Sequence, residues 1–173
     1  MDQAAGYAVL QARLQAWCVG LLSIPVDAYQ LGAVLGKGAP VRVGGDILAP
    51  DVMFVAAQER RQVKADAVYA VPLLAVDMLH SGVSERERAA LRGRYAAAHV
   101  LEYWQIDVDQ GRPHFYQAGA TWQYDCIAPD RAGMHFSVAI VELSFPAVWF
   151  RRQPDLWTMM AYWGMIEDVG KHV

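Results

Sequence analysis

The sequence predicts an α/β fold in which a mixed β-sheet is flanked by α-helices, with residues 1–173 forming one domain. Three observations carry this. The chain has 173 residues, the size of one ordinary domain, large enough to bury a core without disulfide or metal staples. Apolar residues make up 55% and charged residues 19%, a balance rich in Trp, Tyr and Val that a disordered chain would not carry. The hydrophobic patterns run helix, several strands, helix, strand, hairpin, helix, with no internal repeat, low-complexity tract or interdomain linker.

The elements follow in order. From Tyr7 to Leu22, Leu10, Leu14, Trp17, Cys18 and Leu21 recur at three and four residues with Gln11, Arg13 and Gln15 between them, the spacing of an amphipathic helix. Residues 23 to 50 are punctuated by Pro25, Gly32, Gly36, Gly38, Pro40, Gly44, Gly45 and Pro50, leaving room only for short strands such as Val41 to Val43. Val52 to Ala57 and Val71 to Leu79 are compact apolar runs rich in branched side chains, predicted to be neighbouring buried strands, with a charged, solvated connection from Gln58 to Asp66. Ser84 followed by Glu87 matches a capping box and opens a helix over about residues 85–98, in which Leu91, Tyr95 and Ala98 share one face. Glu102 to Val108, His114 to Ala118, Thr121 to Ile127 and Met134 to Val141 have strand patterns, the middle two forming a hairpin around Gly119. Pro154 and Asp155 begin a last helix carrying Leu156, Met159, Met160 and Trp163.

Charge and composition exclude some function classes. A formal net charge of -3 and a pI near 5.9 give no overall attraction to nucleic acid, so contact with DNA requires a local basic patch. Cys18 and Cys126 lack metal-ligand spacing and are expected to be buried free thiols in a reducing cytoplasm. Met1-Asp2-Gln3 lacks the basic start of a signal peptide, and no run reaches the roughly 18 uninterrupted apolar residues that span a bilayer. The expectation is a cytoplasmic protein with no membrane partner.

Three segments carry a family likeness. They are Pro50-Asp51-Val52-Met53-Phe54-Val55, then Pro72-Leu73-Leu74-Ala75-Val76-Asp77-Met78-Leu79, then the stretch from Tyr95 through His99-Val100-Leu101-Glu102-Tyr103-Trp104 to Asp107. Together, over roughly residues 45 to 150, they resemble the Uma2 family of restriction-endonuclease-like proteins, within the PD-(D/E)XK nuclease superfamily. Glu102-Tyr103-Trp104 following Tyr95 is the most specific part; Pro-Asp alone is a common turn dipeptide.

The resemblance implies a restriction-endonuclease-like core and metal-dependent hydrolysis of phosphodiester bonds in DNA. Two carboxylates at adjacent strand ends would hold Mg²⁺, an ion that takes hard oxygen ligands and keeps several waters, and a lysine would help position the attacking water. Carried over by position, Asp51 is the first metal ligand, Asp77 the second where the family usually has Glu, and the backbone carbonyl of Met78 a third. The competing reading makes Asp51 a turn residue and Asp77 a strand-end polar group.

The departures weaken the implied chemistry. The two positions where such proteins place the lysine are Leu79 and Leu91, both apolar, and Glu87 stands where the helix usually carries Asp. The family's usual N-terminal strand hairpin is not recognisable. Losing one preorganised charge commonly costs roughly a hundred- to a thousand-fold in rate, so cleavage should be impaired. Arg88 and Arg92 lie one turn apart on the helix and could clamp a phosphate, though not act as bases; alternatively Arg86, Arg88, Arg92 and Arg94 form a solvated face balanced by Glu85 and Glu87.

Other constellations give less. The histidines at 80, 99, 114, 135 and 172 have no zinc spacing, Ser81 and Ser84 have no nucleophile-elbow context, and the glycine pairs miss the P-loop pattern. Trp149, Phe150, Trp157, Tyr162 and Trp163 concentrate at the C-terminus, consistent with a homodimer interface or with packing of the last helix on the sheet. Two readings result: a Mg²⁺-dependent nuclease-like domain of reduced activity, or a catalytically inactive homo-oligomeric binding protein on the same fold.

Overall fold

A computed structural model describes residues 3–166, with side-chain detail from residue 7. Its centre is a six-stranded mixed sheet in the order β1-β4-β5-β6-β7-β8, built from Gly32–Gly36, Val52–Ala56, Leu74–Leu79, Glu102–Asp107, Arg112–Ala118 and Tyr124–Ile127. The β5–β6 pair is parallel and every other pairing antiparallel. Helix α2 (Glu85–Ala97) is the crossover that a parallel pair requires.

One face of the sheet packs against α1 (Gln3–Ala28), α3 (Trp149–Arg152) and α4 (Leu156–Tyr162). Leu14, Cys18, Leu21, Leu22 and Val26 meet Phe54, Val76, Trp104, Phe115 and Phe150 there. The other face packs against α2 and the hairpin of β2 (Val41–Val43) and β3 (Asp46–Leu48), where Val41, Leu48 and Tyr95 cover Met53, Val55, Ala75 and Tyr103. Alternation along each strand distributes its residues between these two layers. A second two-stranded unit joins β9 (Met134–Phe136) to β10 (Ser144–Pro146).

Several predicted boundaries move, each for a tertiary reason. The first helix does not stop at Leu22 but continues through Pro25 to Ala28. Pro25 withholds one backbone donor, yet Val26 is fully buried against the sheet, and that burial outweighs the loss. Gly32–Gly36, expected to be irregular, is an edge strand; a Cβ on Gly32 would sit 2.0 Å from the Val55 carbonyl, so the glycine permits close approach to β4. Gly44 and Gly45, at φ 57° and 87°, form the two-residue turn of the β2–β3 hairpin.

The run Val71 to Leu79 pairs only from Leu74, and the hairpin strand after Gly119 begins at Tyr124 because Trp122 occupies the left-handed region at φ 57°. Met134 to Val141 is a strand for three residues only, because the backbone beyond Phe136 turns to donate to Glu102. Cys18 is buried, whereas Cys126 is exposed: β8 is an edge strand and its side chain faces solvent.

Helix α1 contains one stretch, Tyr7–Ala28, long and apolar enough by composition to cross a membrane. A third of it is buried inside the domain, and its inner face is the core layer described above. His172 lies outside the described residues.

Candidate functional site

Strand direction gathers polar residues at one end of the sheet. β5 and β6 run parallel and finish at the paired residues Leu79 and Asp107, while the antiparallel β4 starts at Val52, paired with Val76 and with Gly36, the last residue of β1. Lys37, Asp51, Asp77, Met78 and Asp107 therefore share this end.

Asp51 begins this arrangement. Its N–H donates to Val76 O at 2.9 Å, continuing the β4–β5 register, and its Oδ2 accepts the Met78 N–H at 2.8 Å. Gln11 from α1 donates to Oδ1 at 3.4 Å and Gln15 to the Asp51 carbonyl at 3.1 Å. Lys37 Nζ stands 3.4 Å from Oδ1. The Met78 carbonyl accepts the Tyr7 hydroxyl at 3.3 Å.

Asp77 is adjacent but held differently. Its Oδ1 accepts the Tyr95 hydroxyl at 3.0 Å and its Oδ2 the Tyr103 hydroxyl at 2.8 Å, so both oxygens are engaged from the α2 face. Burial pushes its carboxyl up to about 6, partly opposed by the two phenol hydrogen bonds and reinforced by the charge of Asp51. The same burial and the neighbouring carboxylate raise the pKa of Tyr95 and Tyr103 above the ordinary phenol value.

From Asp77 the network runs along the sheet end. Gln105, in register with Asp77 on β6, donates to the Tyr103 hydroxyl at 3.3 Å and to Arg88 O at 2.9 Å, and accepts from Arg92 at 3.1 Å. Arg92 is paired with Glu85 and lies 5.1 Å over the Tyr116 ring; Arg88 is paired with Asp107, which also meets His114 Nε2 at 3.0 Å. Glu85, Arg88, Gln105, Asp107, His114 and Tyr116 border a polar cavity of about 270 Å³ that also includes Ser81, Gln110 and Arg112. The arginines of α2 thus divide: Arg88 and Arg92 turn toward the sheet, Arg94 donates to the Ile47 carbonyl of the β2–β3 hairpin at 2.8 Å, and Arg86 is exposed.

Leu79 and Leu91 remain apolar seats. Leu91 lies one turn before Tyr95 and packs against the same cluster. Glu87, at the position where the resemblance has Asp, forms the capping box with Ser84 instead.

Three features escaped sequence reasoning. Lys37, in the turn that follows β1, reaches the sheet end through the Gly36–Val52 pairing. The phenol pair on Asp77 depends on strand register and on which way α2 faces. The third lies away from the sheet end: Glu102, fully buried, accepts from Trp104 Nε1, Ser137 Oγ and the backbone N–H groups of Val138 and Ala139, and meets His135 Nε2 at 2.8 Å. The specificity of Glu-Tyr-Trp was visible, but not its role in tethering residues 134–140 to β6.

Among the described residues no group of three His, Cys, Asp or Glu side chains is placed to hold a metal ion. The available donors are two carboxylates and a main-chain carbonyl. All are hard oxygens, and a positive group, the Lys37 ammonium, already stands at Asp51 Oδ1. The chemistry of these donors is of the kind a hard divalent cation takes with few protein ligands, although both carboxylates are buried and that of Asp77 is restrained by its phenols.

A mixed six-stranded sheet with helices on both faces is the architecture of the nuclease-like fold. Residues 8–149 match the model of the Uma2 family, described as "Putative restriction endonuclease", and the chain belongs to that family. Among solved structures it is similar to a protein from Anabaena variabilis ATCC 29413, described as a "putative nuclease belonging to DUF820", with a TM-score of 0.66 and 13% identity over 83% of this chain and 81% of that one. At that identity the likeness is one of fold. No curated protein matches the chain.

Proposed function

We propose that this protein is a DNA-directed, divalent-cation-dependent phosphodiesterase-like domain of the cytoplasm that binds its ion weakly and cleaves slowly or not at all. The observation that carries this is the state of the carboxylate pair. Asp51 and Asp77 are neighbours at the sheet end, but both Asp77 oxygens accept phenol hydrogen bonds, and Leu79 and Leu91 occupy the lysine seats.

A bound Mg²⁺ would supply charge neutralisation and activation of water. Asp51, Asp77 and the Met78 carbonyl are the residues to hold it. Asp77 would do so at the expense of its tyrosine contacts. Arg88 and Arg92 form the local basic patch facing a phosphate, each moderated by its own carboxylate, Asp107 or Glu85. A homodimer is part of this reading, through exposed Trp157, Leu156 and Tyr162. The closed Asp77 also favours a second reading, a binding protein that keeps the fold without the chemistry.

Calorimetry with Mn²⁺ and plasmid nicking by the natural and Leu91→Lys proteins test the proposal. We expect weak Mn²⁺ binding that Asp51→Asn abolishes, and nicking that rises in Leu91→Lys. Efficient metal-dependent nicking by the natural protein, indifferent to Asp77→Asn, would place the site elsewhere. Absence of Mn²⁺ binding and of nicking in both proteins would favour the second reading.

A further inference from the structure

The β1–β4 ladder closes on Gly36 opposite Val52, so the next residues on the two strands, Lys37 and Asp51, face each other across the sheet end. Register places the two residues at the same sheet end, and the ammonium stands 3.4 Å from Oδ1. The remaining groups on the Asp51 carboxyl, the Met78 N–H and the Gln11 amide, carry no formal charge. Arg88 and Arg92 have Asp107 and Glu85.

The two partners differ in burial. The Asp51 side chain is 12% exposed and fixed by hydrogen bonds, whereas that of Lys37 is 62% exposed. Its neighbour Gly38 adopts φ 104°, with open space where a Cβ would stand. A compact ammonium on a flexible stem can leave an oxygen that a rigid carboxylate cannot.

We infer that Lys37 is a built-in counter-ion occupying the cation position at Asp51, so that a divalent ion binds only by displacing it. This rests on the reading of Asp51 as the ion ligand. With Lys37 in place the carboxylate is neutralised and the ion competes with an intramolecular charge. Removal of that charge should tighten binding about two- to fivefold, the scale expected of one solvent-screened ion pair.

The test is Mn²⁺ titration calorimetry on the full chain and on Lys37→Met, Lys37→Arg and Asp51→Asn at constant ionic strength. The expected result is about two- to fivefold tighter binding in Lys37→Met, natural affinity in Lys37→Arg and loss of binding in Asp51→Asn. Equal affinity in the natural and Lys37→Met proteins, with loss in Asp51→Asn, overturns the inference while leaving the ion site at Asp51 standing. No binding by any variant overturns both. Lys37 is exposed, so its replacement leaves the fold intact, which matching thermal unfolding curves would verify.

Discussion

At the scale of single residues, two buried carboxylates behave in opposite ways because their partners differ. Burial holds the Asp77 carboxyl at about 6, above its ordinary 3.8, since two phenol hydrogen bonds do not compensate for desolvation. The native state therefore retains a proton that the unfolded chain releases. The stabilising contribution is complete below about pH 4 and lost as pH rises through about 6. Asp77→Asn removes this dependence, so between pH 4 and pH 7 its stability should rise relative to the natural protein by roughly 3 kcal/mol. Urea unfolding at the two pH values measures this; parallel profiles would refute it. Glu102 is also buried, and burial alone would raise its carboxyl. Hydrogen bonds from His135, Ser137 and the loop backbone outweigh it and hold the group below its ordinary value. Its contribution is present at neutral pH and lost as pH falls into the acidic range. Glu102→Gln sets an amide N–H₂ against groups that all seek an acceptor, and we expect a loss of about 3 kcal/mol or more in denaturant unfolding.

At the scale of elements, periodicity located helices α1, α2 and α4 and the central strands but not the short helix α3, the strands β3 and β10, or the edge strand β1. Leucine, valine and alanine in Gly32–Gly36 are too few to outweigh two glycines in a propensity reading. The strand exists because Gly32 lets its backbone approach Val55 and Phe54. Gly32→Ala forces a backbone shift in β1 or β4 and should cost about 3 kcal/mol, read as a fall in Tm. An unchanged Tm would mean that β1 can slide without loss. Since Lys37 reaches Asp51 through this register, the same variant should also disturb that pair. Helix α2 is the opposite case: Ser84 and Glu87 announce its start, and their side chains make the predicted reciprocal bonds. The remaining strand error, Met134 to Val141, arises because residues 137–139 use their donors on Glu102.

At the scale of the whole molecule, the C-terminal aromatics divide between two fates. Trp149 and Phe150 are buried in the core and Trp163 packs against it, whereas Trp157 and Tyr162 are 68% and 48% exposed. Exposed Leu156 and Trp157 stand beside the outer surface of α1, where Val9 and Leu10 are also exposed. We expect this face to be covered in a homodimer, and sedimentation at micromolar concentration should give twice the 19.2 kDa chain mass. A single species at the chain mass would remove the dimer from the proposal.

The sequence by itself determined the fold class and the capped crossover helix, because local periodicity and a short motif encode these directly, and the family resemblance pointed to Val52 to Ala57 and Val71 to Leu79 as neighbouring strands, which pair over Val52–Phe54 and Leu74–Val76. Only the tertiary structure decided what surrounds the carboxylates of Asp51 and Asp77. Tyr95 and Tyr103 approach Asp77 from separations of 18 and 26 residues, and Lys37 meets Asp51 from the end of another strand. Such contacts depend on strand register and helix facing, which are fixed when the two core layers pack and leave no local periodic trace.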